Sequence, residues 1–380
     1  MARSNPVFAC AACGGETLKW QGQCPYCGEW NSLEQRAAVT HAGARKSAAT
    51  VPAVATRLDE FEGGGRPRAE TGHHELDRVL GGGIVPGSVV LLGGDPGIGK
   101  STLLLQVAAH LAQSQPVLYA SAEESVAQVA LRARRLGLAT VQLTVVADSD
   151  LDAIAHLASD RKAALLVIDS IQTVQSAAVP ASAGAVTQLR ECTAALVRFA
   201  KSSGTAVFIV GHVTKEGTIA GPRVLEHLVD TVLYFESDAG SRYRIVRATK
   251  NRFGAVNELG FFAMTEGGLR EVRNPSAIFL ARAPEPAPGS LVTVAREGGR
   301  PLLIELQALV DRMRFGAPRR IAQGLDANRV ALLLAVLNRH GGLSLQEHDV
   351  FVNVVGGIEL TETACDLPVM LALEIGRAHV

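Results

Sequence analysis

The sequence has no net charge: Lys and Arg together number 37, and so do Asp and Glu, in 380 residues. A balanced chain has no global field to draw in a polyanion, so a histone-like, purely electrostatic binder is excluded and any nucleic-acid contact must come from local basic patches. No apolar run approaches the ~18 residues of a membrane-spanning helix, and Met1 to Gly15 lacks the apolar core of a secretory signal. Together these absences predict a cytoplasmic protein with no membrane partner. Charged residues are only 19% against 47% hydrophobic, a balance that supports packed cores and argues against long disorder. At one domain per ~150 residues the length predicts two or three units. Cysteine is scarce, six in all, yet four fall in the first 27 residues as Cys10-x-x-Cys13 and Cys24-x-x-Cys27. Such clustering points to metal rather than disulfides.

Two turn-held thiolate pairs at that spacing can converge on one tetrahedral ion. Four sulfur ligands with no open position suit a structural zinc, although iron takes the same ligands. Gly14 and Gly28 follow the pairs and let the backbone turn tightly. A module of some ~30 residues buries too little apolar surface to fold alone, so metal binding supplies its folding energy. Cys192 and Cys365 are isolated and read as small buried residues.

Residues 1–33 form this module and 34–55, rich in Ala, Thr, Ser, Arg and Lys, read as a linker. From 56 to 273, short apolar runs alternate with helical segments, the pattern of an α/β domain with a mostly parallel sheet. The predicted strands are Ser88–Leu92, Pro116–Ser121, Val141–Val146, Ala164–Asp169, Thr205–Val210 and Thr231–Glu236, with helices beginning near Lys100, Glu124, Asp150 and Val186. After Arg270 a Pro-rich stretch, Ala283–Pro288, precedes a smaller α+β unit over 274–380.

The strongest motif is Gly94-Asp95-Pro96-Gly97-Ile98-Gly99-Lys100-Ser101-Thr102, a G-x-x-x-x-G-K-[ST] phosphate loop between a strand and an apolar helix. Its amides form a cradle for phosphate oxygens, assisted by the helix N-terminus. Lys100 is predicted to reach the β- and γ-phosphates of ATP and Ser101 to ligate Mg²⁺. Asp169 ends the buried run Leu165–Asp169, where a carboxylate can hold the magnesium shell. Hydrolysis also needs a group to orient water, and Glu123, after the strand ending at Ser121, is the choice. Its neighbour Glu124 then serves as a helix-start charge.

With these pieces in place the chain resembles the RadA/Sms family of RecA-related DNA-repair ATPases. The four-Cys motif, Glu75–Gly83, the phosphate loop, Tyr119–Ser125, Leu165–Ser170, Gly211–Gly217 and Lys250-Asn251-Arg252-Phe253-Gly254 carry the resemblance, from about residue 7 to 373. It implies a RecA-like core, a homo-hexameric ring with ATP between subunits, and single-stranded DNA in the ring, where hydrolysis drives branch migration on branched intermediates alongside other recombination proteins. It also implies that Lys250 and Arg252 reach the triphosphate of the neighbouring subunit, a cation delivered in trans to the transferring phosphoryl group. Read without it, Arg242, Arg244, Arg247, Lys250 and Arg252 are solvated hairpin residues. His212 is either a γ-phosphate sensor or a strand-end histidine bonded to backbone. Lys215 and Arg223, in the loop after it, are candidate DNA-phosphate contacts. Gln172–Ala185 is either a second DNA-facing loop or a disordered excursion.

From about 276 the chain resembles the proteolytic domain of Lon, which needs a serine nucleophile and a lysine base. Thr363-Ala364-Cys365-Asp366 puts Ala364 at the nucleophile's place, which argues against an ATP-dependent peptidase. Cys365 is a conceivable substitute, but no base is evident. The Lon-like domain reads as incomplete, and Glu374–Val380 back-translate to a sequencing-library adapter and read as an artefactual end. Arginines 312, 314, 319 and 320 are either DNA contacts or a solvated face. A third reading, a nucleotide-gated scaffold using the zinc module, stands beside the DNA motor and the peptidase.

Overall fold

In the computed structural model, the described residues are 7–11, 15–17, 19–36, 67–139, 141–212, 223–237, 241–280, 287–313 and 315–377. Cys13, Gly14, Lys215, most of the 34–55 linker, part of the Ala283–Pro288 stretch, Arg314 and the last three residues lie outside them, as does the side chain of Arg223. The chain divides into two compact units, Met1–His73 with Gly82–Leu233, and His74–Gly81 with Tyr234–Val380.

At the N-terminus β1 (Val7–Cys10) pairs antiparallel with β2 (Glu16–Thr17) and β3 (Leu33–Arg36) in the order β2-β1-β3. Cys10, Cys24 and Leu33 are its only buried cluster among the described residues, an amount of apolar surface that agrees with a module held by its ligands.

The second unit's first element, α1, is His74–Leu80. The first unit then continues with β4 (Val89–Gly94), α2 (Lys100–Leu111), β5 (Val117–Ser121), α3 (Val126–Arg135), β6 (Thr144–Ala147), α4 (Leu151–Asp160), β7 (Leu165–Asp169), α5 (Val186–Ser203), β8 (Ala206–Val210), α6 (Arg223–Glu226) and β9 (Thr231–Glu236). The strands run in the order β9-β4-β8-β7-β5-β6, and the pairs β4–β8, β8–β7, β7–β5 and β5–β6 are parallel. Every residue of β4, β5, β7 and β8 is buried. Helices covering both faces of a parallel sheet produce this, and it is why these strands read as unbroken apolar runs. Two predicted starts move by a few residues. Helix α3 begins at Val126 rather than near Glu124, because the Ser125 hydroxyl accepts from the Gln128 amide and Gln128 answers in a capping box. Strand β6 begins at Thr144, where pairing with Leu118 starts.

Buried polar groups lock this sheet. The Asp230 carboxylate accepts from the Val89 amide at 3.0 Å and from Lys201 Nζ at 2.8 Å. The Gln172–Ala185 stretch is anchored by a neighbouring side chain: Gln188, 1% exposed, donates through Nε2 to the carbonyls of Ser176, Val179 and Ala181 and accepts from the Ser176 amide. One buried amide thus supplies partners that the irregular loop cannot find within itself.

In the second unit β10 (Tyr243–Asn251), β11 (Leu259–Thr265) and β12 (Gly268–Glu271) form an antiparallel meander. Helix α1 joins it through Glu75, whose carboxylate accepts from Arg300 Nη1 at 2.8 and 2.9 Å and from the Phe261 amide at 3.0 Å. Asn251 donates to the Val79 carbonyl at 3.1 Å, and Gly81 approaches Gly254 so closely that a Cβ on Gly254 would lie 2.7 Å from the Gly81 Cα. The separate Glu75–Gly83 and Lys250–Gly254 motifs are therefore one packed structure. Beyond it, β13 (Ser290–Glu297), β14 (Arg300–Arg312), β15 (Arg320–Gln323) and β16 (His348–Val354) form a sheet in the order β13-β14-β16-β15, with α7 (Ala327–His340) and α8 (Asp366–Arg377) completing an α+β arrangement. Its core gathers Ile304, Leu306, Val310, Val350, Val369 and Leu373. No helix among the described residues is long and apolar enough to cross a membrane.

Candidate active site and metal centre

Because β4, β5, β7 and β8 are parallel, their carboxyl ends share one edge of the sheet, and whatever follows each strand meets there. The phosphate loop follows β4, Glu123 follows β5, Asp169 ends β7, and His212 follows β8. The register sets Ser121 opposite Asp169. These residues surround a cavity of about 430 Å³ lined by Pro96, Gly97, Gly99, Lys100, Ser101 and Thr102 of the loop, and by Ser121, Glu123, Glu124, Arg132, Arg135, Asp169 and His212.

Gly97 and Gly99 have φ of +75° and +120°, a region that side chains with a Cβ rarely adopt and that turns successive amides inward. Gly94 and Asp95 meet the site through Lys100, whose buried Nζ donates to their carbonyls at 2.6 and 2.8 Å, and Ile98 is buried. Burial pulls the Lys100 pKa down to about 8, against the opposing pull of Asp169, Asp95 and Glu123. The ammonium is thus held in a desolvated setting where an incoming anion has most to offer it.

Asp169 and Glu123 accept from buried or partly buried hydroxyls. Asp169 Oδ2 accepts from the Tyr119 hydroxyl at 2.5 Å. Tyr119 is fully buried, and burial together with the Asp169 charge pushes its pKa well above the usual value, so it stays a donor. Glu123 Oε1 accepts from the Ser170 hydroxyl and lies 3.3 Å from His212 Nε2. Glu124 has a different surrounding: its amide bonds the Ser121 hydroxyl and its carboxylate pairs with Arg132 Nη2. It is ion-paired ahead of the helix, and Ser125 is the cap. Tyr119 and Ser170 escape a reading of the sequence in these roles, since only the order of strands brings them to Asp169 and Glu123; Arg132 is local to Glu124, eight residues along the chain.

Lys250 is the last residue but one of β10, which Asn251 ends, and Arg252 follows, both in the second unit; neither lines the phosphate-loop cavity. Ala364 and Cys365 lie in a 3₁₀ turn, Thr363–Cys365. Cys365 is 1% exposed, and burial, then the Glu362 charge, raises its thiol pKa. Burial likewise pushes Cys192 up to about 11. Neither thiol is primed as a nucleophile.

In the N-terminal module the Sγ atoms of Cys10, Cys24 and Cys27 all lie within 4.8 Å of one another, with Cys10 and Cys27 3.7 Å apart. Sulfurs bound at ~2.3 Å to a tetrahedral zinc stand about 3.8 Å apart, so these thiols fit zinc; Cys13 lies outside the described residues.

Comparison with known proteins agrees with this picture. Residues 67–218 match the AAA domain family and residues 8–35 the rubredoxin metal binding domain family. The DNA repair protein RadA of Pseudomonas aeruginosa is 54% identical over 375 residues, covering 98% of this chain and 83% of that protein. RadA of Escherichia coli is 52% identical over 374 residues, covering 97% and 81%. Among solved structures, the RadB recombinase aligns over 54% of this chain and 99% of its own, at 23% identity and a TM-score of 0.42.

Proposed function

Because the chain belongs to the RadA family of DNA repair proteins, we propose that it is a DNA-dependent ATPase of recombinational repair. In this reading ATP-coupled movement on single-stranded DNA drives branch migration of recombination intermediates. The chain has a RecA-like α/β ATPase core preceded by a zinc ribbon. The observation that carries the proposal is the single cavity shared by Lys100, Ser101, Glu123 and Asp169.

The loop Gly94–Thr102 wraps the polyphosphate in backbone amides, and Lys100 supplies a cation to the β- and γ-phosphates. Ser101 and Asp169 hold the magnesium shell, with Tyr119 fixing one Asp169 oxygen. Magnesium, when bound, neutralises phosphate oxygens. Glu123 orients the attacking water and accepts its proton, its carboxylate steadied by Ser170 and His212. His212 also precedes residues 213–222 in the chain, our candidate stretch for DNA contact. Lys250 and Arg252 act in trans within a homo-hexamer, stabilising charge on the phosphoryl group of the neighbouring subunit. The zinc module is assigned to contacts with other recombination proteins. A peptidase reading has no support, given Ala364 and the buried Cys365.

The test is ATP hydrolysis with and without single-stranded DNA, followed by a three-strand branch-migration assay. DNA is expected to stimulate hydrolysis, and Lys100→Ala to lower it by at least about 100-fold. Lys100→Ala and Arg252→Ala are both expected to stop branch migration while DNA binding persists. Parental hydrolysis and strand extension by Lys100→Ala would overturn the reading.

A further inference from the structure

Of the three arginines in the last turn of α3, Arg132 and Arg135 line the phosphate-loop cavity, whereas Arg134 borders a separate apolar groove. Arg135 is exposed, and Arg132 is the one drawn inward. Its side chain is only 18% exposed, its Nη2 pairs with Glu124, and its Nη1 is buried with no hydrogen-bond partner. A guanidinium offers five donors, and leaving one buried and unsatisfied costs on the order of 1–3 kcal/mol. Arg132 lines the cavity together with Asp169, and its positive charge opposes the rise in the Tyr119 pKa. Pairing with Glu124 alone leaves the Nη1 arm of the fork unsatisfied.

We infer that Arg132 is a phosphate-contacting residue supplied by the same subunit as the phosphate loop: it donates to the terminal phosphate of a bound nucleoside triphosphate, and Glu124 is the positioning carboxylate that holds its fork. The inference deepens, and rests on, the nucleotide reading of the cavity. The ligand chemistry follows from the donor set. A terminal phosphate presents several anionic oxygens, and a planar guanidinium with one arm fixed by Glu124 still has N–H groups to meet them. The two adjacent glutamates then divide the work, Glu123 toward water and Glu124 toward the arginine. A diphosphate lacks the group that Arg132 reaches, so the residue discriminates between the two nucleotides.

The experiment is calorimetric titration of the full chain, with Mg²⁺, using ATPγS and ADP in parallel. Arg132→Ala is expected to weaken ATPγS binding by about 10–100-fold and to leave ADP within about threefold. Arg132→Lys is expected to restore part of the loss, since it keeps the charge and loses the fork. Equal losses for both nucleotides, or no loss for either, would overturn the proposal, because a merely structural arginine does not distinguish them. If Arg132→Ala does not fold, the charge-balanced double variant Arg132→Ala/Glu124→Ala carries the same comparison. Failure of the unmodified chain to bind either nucleotide is a separate result that removes the nucleotide reading and this proposal with it.

Discussion

The ion-paired acids of the second unit and two acids of the first, Asp169 and Glu123, are held in opposite ways. In the second, acids meet arginines: Glu75 with Arg300, Glu258 with Arg78, Asp349 with Arg319 and Asp366 with Arg329. In the first, two of the carboxylates lining the cavity are held without arginine, Asp169 by the Tyr119 hydroxyl and Glu123 by the Ser170 hydroxyl with His212 beside it, while the third, Glu124, pairs with Arg132. An acid neutralised by a guanidinium has its charge balanced within the fold, whereas one steadied by hydroxyl donors keeps it for a cation or a proton. The contrast sorts the neighbours Glu123 and Glu124, since only the second carries an arginine.

Substitutions on each side test this contrast. Glu123→Gln is expected to reduce the ATP turnover number by about 10²–10⁴-fold with the thermal midpoint nearly unchanged. A matching fall in stability would place Glu123 among the structural acids. Glu75→Ala, which strands Arg300 among partly buried partners, is expected to cost about 3–5 kcal/mol in denaturant unfolding of the second unit; a loss below ~1 kcal/mol would make that pair a surface contact. A smaller effect concerns pH. The phosphate-bound state favours charged Lys100, whereas the unbound lysine is half neutral near pH 8. Nucleotide affinity should therefore be flat well below pH 8 and fall by up to about tenfold per unit above it. Binding above pH 8 should take up a proton, visible in calorimetry across buffers of different ionisation enthalpy. The same depression makes charged Lys100 a burden to the unbound fold at neutral pH, one that lightens as pH rises through 8. Affinity independent of pH between 7 and 9.5 would separate Lys100 from the phosphates.

Much of this architecture is legible in the residues. Strands β4, β5, β7 and β8 are apolar throughout because both their faces are covered, and that signal survives without coordinates. The phosphate loop is legible because its glycines and lysine are adjacent in the chain. The edge strand Arg320–Gln323 is not, since three of its four residues are exposed and it has no apolar run to betray it. Nor is the role of Glu75, which rests on Arg300 and the Phe261 amide, both more than a hundred residues away.

From the chain's residues alone follow the clustered thiols, the phosphate loop, the alternation of strands and helices, and the carboxylates at strand ends. These are local properties, set by spacing and by the period of apolar residues. Strand order is a different kind of fact. Only packing decides that β7 lies beside β5, and that adjacency gives Asp169 its tyrosine, Glu123 its serine, and both a common cavity. Hydrogen bonds reach about 3 Å, so partners some fifty residues apart are chosen by the tertiary fold and by nothing nearer in the sequence.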